Sequence, residues 1–198
     1  MKKLLLSTIL FLTCISAFSQ HNENEKKITD TIPKINGNYE YIEVVSLDTS
    51  YKKEQLYRNA KVFLVDIFKS AKDVIQYDDK EQGKIIGKGV LELADYHVIF
   101  TVVDEFTWNV NFTIEISCKD GKYRYRLYDI LINQRVKNDT YNTPSVLTVD
   151  DAIKNTQKGP FKKVSTRLVN SMLHNFRNDI TILKTYMNKS QAKSKDDF

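Results

Sequence analysis

The stretch Tyr123-Arg124-Tyr125-Arg126-Leu127-Tyr128 interleaves cations with aromatic rings. In a strand, alternate side chains share a face. Arg124, Arg126 and Tyr128 then point one way, and Tyr123, Tyr125 and Leu127 the other. A guanidinium row on an open sheet face can hold a carboxylate, a phosphate or the edge of a sugar ring. The competing account is a surface strand with cross-strand ion pairs, Glu115 being a candidate partner. Arg124, Arg126 and Tyr128 are therefore the candidate ligand-binding set.

Other residue types that could do chemistry are sparse. His97 sits in an apolar run and His174 in a helical one, without the spaced partners of a metal or triad motif. Both read as structural. Asp78, Asp79 and Glu81 cluster in DDKEQG, but a calcium loop needs oxygen ligands at alternate positions and a closing Glu. A solvated hairpin tip fits better. Gly83, Gly87 and Gly89 do not lead into a helix, as a phosphate loop would. They suggest a bulge, strong curvature or a close backbone neighbour in a strand. Glu92, Asp104, Glu105 and Asp129 are scattered acids with no paired spacing. No catalytic residue, cofactor or metal is assigned from these patterns.

The N-terminus reads as an address. Lys2 and Lys3 precede an apolar stretch from Leu4 to Ala17, and Ala17-Phe18-Ser19 places small residues before Gln20. This is the layout of a secretory signal peptide cleaved after Ser19. Cys14 does not suit a lipid-bearing cysteine, because Thr13 precedes it and the apolar run continues beyond it. Cleavage would take away Lys2 and Lys3 and no acid, lowering the net charge from +5 to +3. That balance does not call for a polyanion partner. A single remaining cysteine, Cys118, cannot form an internal disulfide, so a hydrophobic core must stabilise the fold. The expected compartment is the periplasm or the cell exterior. Asp30-Thr31-Ile32 resembles a bacterial O-glycosylation tripeptide, though three residues recur easily by chance.

Residues 20–38 are polar and read as an extended leader. Tyr39 to Leu47 is strand-like. Ser50 is a candidate cap for the helix that follows, in which Leu56, Ala60, Phe63, Leu64, Ile67, Phe68 and Ala71 recur at helical spacing. Val74 to Tyr77 and Lys84 to Leu93 form a hairpin across the acidic turn. Tyr96 to Val103 reads as another strand. Trp108 to Cys118 alternates apolar and polar, as a half-buried strand does, and Asp120-Gly121 turns it into Lys122 to Ile132. Residues 133–163 are polar and turn-rich, with a short helix signalled at Thr148-Val149-Asp150-Asp151. Val164, Leu168, Met172, Leu173, Phe176, Ile180, Leu183 and Met187 predict a long helix over 162–188. Residues 189–198 read as a disordered tail. The element order β-α-β-β-β-β-β-α predicts an α+β domain over 39–188, a curved antiparallel sheet with two long amphipathic helices on one face.

The run from Leu56-Tyr57 through Ile75-Gln76, Asp78 to Lys80 and Gly83 to Gly89, with its closing helix, resembles an exported Bacteroidota family. That family is a domain of unknown function with a TBP-like fold. The resemblance implies the fold and a secreted habit and carries over no functional residue. The near-neutral mature charge, the single half-repeat and the export signal argue against nucleic acid. The expected role is a non-catalytic binding module of the cell envelope whose partner is an envelope protein, a peptide or a glycan. The alternatives are a carboxylate-based, hydrolase-like enzyme and a structural homo-oligomer using an edge strand or the final helix.

Overall fold

The computed structural model describes residues 33–68, 74–99, 102–136 and 145–189. The signal sequence with Cys14, the Asp30-Thr31-Ile32 tripeptide, nearly all of the tail, and the side chains of His97, Asp104 and Glu105 lie outside the described residues. In chain order the elements are β1 (Lys34–Ile35), β2 (Asn38–Tyr39), β3 (Tyr41–Ser46), α1 (Lys53–Phe68), β4 (Ile75–Asp79), β5 (Lys84–Ile99), β6 (Val102–Lys119), β7 (Lys122–Val136), β8 (Ser145–Thr148), α2 (Val149–Gln157) and α3 (Lys162–Met187).

The main sheet is antiparallel, in the order β3-β7-β6-β5-β4, with β8 also paired to β7. One face carries the apolar alternation seen in the sequence. Ile85 meets Ile116, which meets Tyr125, and Gly87 meets Ile114, which meets Leu127. Helix α1 lays Leu56, Ala60, Phe63 and Leu64 against this face, and α3 adds Leu168, Met172, Phe176 and Leu183, all buried. Burying such side chains stabilises by about 1.5–3 kcal/mol each, which sets both helices on one side of the sheet. The expected α+β architecture, an antiparallel sheet with both long helices on one face, stands.

One glycine matters to this packing. A Cβ at Gly89 would run into the Phe112 ring and lie 2.6 Å from the Phe68 ring. Phe68, Phe112 and Phe176 cross the sheet there as a cluster, with ring centroids 5.8 and 5.1 Å apart. The close-neighbour account of Gly89 therefore holds. The bulge lies on the adjoining strand, between Ile75 and Tyr77.

The two long helices are as expected, and the short helix signalled at Thr148 is present as α2, with the Thr148 hydroxyl accepting from the Asp151 amide. Several expectations need correction. The leader is not extended throughout. Asn36 and Gly37 both have positive φ, 51° and 85°, and turn β1 back onto β2. The segments 84–93, 96–103 and 108–118 are two strands, not three, because β5 and β6 run antiparallel through to Ile99 opposite Val102. Ser50 does not cap α1. The Lys53 amide donates to Asp120 Oδ1 at 2.7 Å, so the β6–β7 turn supplies the cap.

Candidate functional site

The helix-free face of the sheet displays rows of residues set by the strand register. Lys84, Ser117, Arg124 and Val44 form one row, and Ile86, Glu115, Arg126 and Ile42 the next. Beyond them lie Lys88, Thr113 and Tyr128, then Val90, Asn111, Leu131 and Thr148. Arg124, Arg126 and Tyr128 thus share the open face, as alternation requires. Their environments differ.

Arg124 is committed to the sheet. Its Nη2 donates to Glu115 Oε1 at 2.8 Å, while Lys84 Nζ lies 3.0 Å from Oε2. Burial pushes the Glu115 carboxyl up, but the hydrogen bonds from Lys84 and Arg124 outweigh it, and it sits below its ordinary value. The cross-strand ion pair is the observed role of Arg124.

Arg126 is held on two sides. Its Nε donates to Glu40, whose carboxylate is buried, and its guanidinium lies 4.2 Å from the centroid of the Tyr128 ring. The Glu40 hydrogen bond raises the Arg126 pKa further. A cation fixed by a carboxylate and a ring loses little freedom when a ligand arrives.

Arg126 and Tyr128 open onto a cleft of about 760 Å³, within the size range of small-ligand sites. Its position follows from how β7 is flanked. β6 takes one side of β7 along its length, so β3 and β8 share the other. β3 pairs with residues 122–127 and β8 with residues 131–134, leaving Tyr128, Asp129 and Ile130 without a strand partner on that side. Asp129 takes φ 53°, and the register of β6 against β7 shifts between Asn111 and Thr113 at the same point. This bulge is what interrupts the sheet edge.

The hairpin β1–β2 and the start of α2 wall the cleft. Gly37, Asn38 and Tyr39 contribute from one side, Thr148, Val149 and Asp150 from the other. Asp150 ties the two together, accepting from Lys34 Nζ at 2.9 Å and from the Tyr39 hydroxyl at 3.1 Å. The Lys34 hydrogen bond holds the Asp150 carboxyl below its ordinary value. The floor supplies the amide of Asn111, the hydroxyl of Thr113 and the apolar Val90 and Leu131. Lys88 and Arg126 balance Asp129 and Asp150, so the lining has no net charge.

Alternation could therefore find the face but not the cleft. Lys88, Asn111, Thr113 and Asp129 come together only through the pairing of three strands. The walls had local signals, Asn36-Gly37 for the β1–β2 turn and Thr148-Asp151 for the start of α2, but neither shows that the two meet.

The remaining candidates have structural partners or lie exposed. Asp78 accepts from Tyr57 and from Lys61, and Asp79 from the Gln82 amide and the Tyr77 hydroxyl. His174 is exposed on α3. Burial pushes the Cys118 thiol up to about 12, which leaves it protonated and inert. Among the described residues no group of acids, histidines and cysteines could hold a metal ion, and no helix is long and apolar enough to cross a membrane.

Comparison with known proteins bears on the fold. Residues 41–133 match the model of a family described as a domain of unknown function (DUF4468) with TBP-like fold. A crystal structure of a DUF4468 family protein from Bacteroides ovatus is 14% identical, covers 82% of this chain and 93% of its own, and superposes with a TM-score of 0.55. A TBP-like protein from Parabacteroides distasonis, also 14% identical, covers 81% of this chain and 99% of its own, with a TM-score of 0.56. At that identity they show the shared fold alone. No curated protein matches the chain.

Proposed function

Since the chain carries a DUF4468 domain with TBP-like fold over residues 41–133, we propose that it is an exported, non-catalytic binding module of the cell envelope, with its ligand seated in the cleft beside Arg126 and Tyr128. The observation that carries this is the braced guanidinium of Arg126 at the interruption of the β7 edge. The Leu4–Ala17 apolar stretch and its small-residue cleavage signal support export to the periplasm or beyond.

The lining favours a glycan among envelope ligands. Asn38, Asn111 and Thr113 both donate and accept, as vicinal hydroxyls require. Val90 and Leu131 offer apolar surface to the faces of sugar rings. The balanced charges select against a strongly ionic ligand. Glycan-array binding by the wild-type chain, beside the Tyr128→Ala and Arg124→Ala variants, tests the assignment. Peptide binding without glycan binding would replace the ligand class while keeping the site.

A carboxylate-based hydrolase is the second reading, because Asp129 and Asp150 line the same cleft. It is weaker on chemical grounds. A general acid must hold its proton near neutral pH, and Lys34 and Tyr39 keep Asp150 ionised instead. Release of reducing ends from a bound glycan, abolished by Asp129→Asn, would establish hydrolysis and overturn the non-catalytic assignment.

A further inference from the structure

Over the whole chain the charges nearly balance, but they are not evenly spread. Between Asp151 and Asp179 stand Lys154, Lys158, Lys162, Lys163, Arg167 and Arg177, with no Asp or Glu. The fold brings the middle of this run to a tip. α2 ends at Gln157, α3 begins at Lys162, and the two helices pack against each other. Every residue from Gln157 to Lys163 is exposed. Gly159 turns the chain with φ 98°, and a Cβ there would meet no atom within 4 Å. Phe161, within the tip, is 60% exposed. Lys158, Lys162 and Lys163 flank it in sequence, and among the described residues none of the three forms an ion pair.

The tip does not serve the helix it starts. A helix N-terminus is the positive end of the dipole and favours acids in its first turn. α3 has none there and begins with Lys162 and Lys163 instead. Its N-cap is Phe161, which makes no side-chain cap, where Ser, Thr, Asp or Asn would. Phe161, Lys162 and Lys163 all depart from what the helix start favours, and departures of this kind mark function rather than folding.

We propose that this tip docks the protein on an anionic lipid bilayer, with Phe161 entering the interface and Lys158, Lys162 and Lys163 meeting headgroup phosphates. Charge complementarity selects an anionic surface. The ring selects a bilayer over a soluble polyanion, because an aromatic side chain set among cations gains only where acyl chains cover it. Lysine stems are long enough to lie along the ring while their ammonium groups stay with the headgroups. One ring and a few cations are each weak and act together, so the attachment is peripheral and reversible. The tip lies at the opposite end of α2 from Thr148, Val149 and Asp150, which wall the cleft, about 13 Å away for a nine-residue helix. No side chain is shared, so the inference stands apart from the ligand site.

Flotation with lipid vesicles tests this. Residues 32–198 form one compact unit, so the chain from Gln20, the form that export leaves, is used without the apolar Leu4–Ala17 stretch. It should float with vesicles of mixed phosphatidylglycerol and phosphatidylcholine, not with phosphatidylcholine alone, and added salt should release it. Lys162→Glu with Lys163→Glu should weaken binding by about 25-fold or more, at roughly fivefold for each cation lost. The same variant should melt at or above the wild-type temperature, because acids suit that helix start. Phe161→Ala should weaken binding by about fivefold or more. No flotation with the anionic vesicles overturns the proposal, as does equal binding to both vesicle types or by the lysine variant. A loss in the lysine variant that Phe161→Ala does not share identifies a polyanion contact and overturns the bilayer assignment. Neither variant touches the cleft lining, so glycan affinity should be the same in all three proteins and the two assignments fail separately.

Discussion

The buried carboxylate of Glu40 accepts a hydrogen bond from Nε of Arg126 and so joins the chain between β2 and β3 to the rim of the cleft. The contact links residues 86 positions apart. Removing the carboxylate leaves the guanidinium with the Tyr128 ring alone to orient it. Glu40→Ala is expected to lower stability by about 1–3 kcal/mol, the range for a charge-assisted hydrogen bond. Urea denaturation of the two proteins measures it.

Gly89 gives a steric prediction. Gly89→Ala forces a methyl into the Phe112 and Phe68 rings, and overpacking of this kind costs about 1–3 kcal/mol. Gly37→Ala meets no atom within 4 Å; its cost comes only from φ +85°, at about 1 kcal/mol. Thermal melts should show the larger drop for Gly89→Ala.

The cap of α1 is supplied across the sheet. Asp120→Ala removes the acceptor for the Lys53 amide and is expected to cost about 1 kcal/mol. Ser50→Ala should cost less, because the Ser50 side chain makes no cap and its backbone amide donates to Asp48. Parallel chemical denaturation of both variants distinguishes the two caps.

These capping and packing contacts mark where the sequence was informative and where it was not. Helices α1 and α3 were legible because their apolar residues recur at three and four, a period no strand shares. The β6–β7 hairpin was legible from its alternation and from Asp120-Gly121. The β5–β6 connection was not. β5 and β6 pair up to Ile99 opposite Val102, within the apolar run VIFTVV that holds no turn residue, while the polar Asp95 and Asp104-Glu105 lie inside strands. The β1–β2 hairpin carried the Asn36-Gly37 signal, but two-residue strands are too short to show alternation. Arg124 and Arg126 share a face by period two. Glu115 was legible as a cross-strand partner because the Asp120-Gly121 turn fixes the β6–β7 register; Glu40, which lies outside that hairpin and holds Arg126, was not.

Asp179 on α3 gives a pH dependence. Burial pushes its carboxyl from the ordinary 3.8 up to about 6, and its Oδ2 has no hydrogen-bond partner among the described residues. The folded chain therefore keeps a proton that the unfolded chain has already lost. This contribution to stability is present below about pH 4 and is lost as pH rises through about 6. Asp179→Asn should melt above the wild type at about pH 7, and the gap should close near pH 4. A series of melts across that interval checks the sign.

Glu115 works in the opposite sense. Held below its ordinary value by Lys84 and Arg124, it stabilises the fold above the unfolded carboxyl pKa and loses that contribution as acid protonates it. Glu115→Gln should flatten the acid limb of the stability curve, measurable by urea midpoints between about pH 3 and 6.

Titration calorimetry of the strongest glycan-array ligand against wild type, Tyr128→Ala and Arg124→Ala probes the cleft most directly. A functional cleft requires Tyr128→Ala to weaken binding by about tenfold or more, which is about 1.4 kcal/mol. Arg124→Ala, whose side chain is engaged with Glu115 outside the cleft, should leave the affinity unchanged. Equal affinity for all three proteins, or a loss with Arg124→Ala alone, would contradict a ligand seated beside Arg126 and Tyr128.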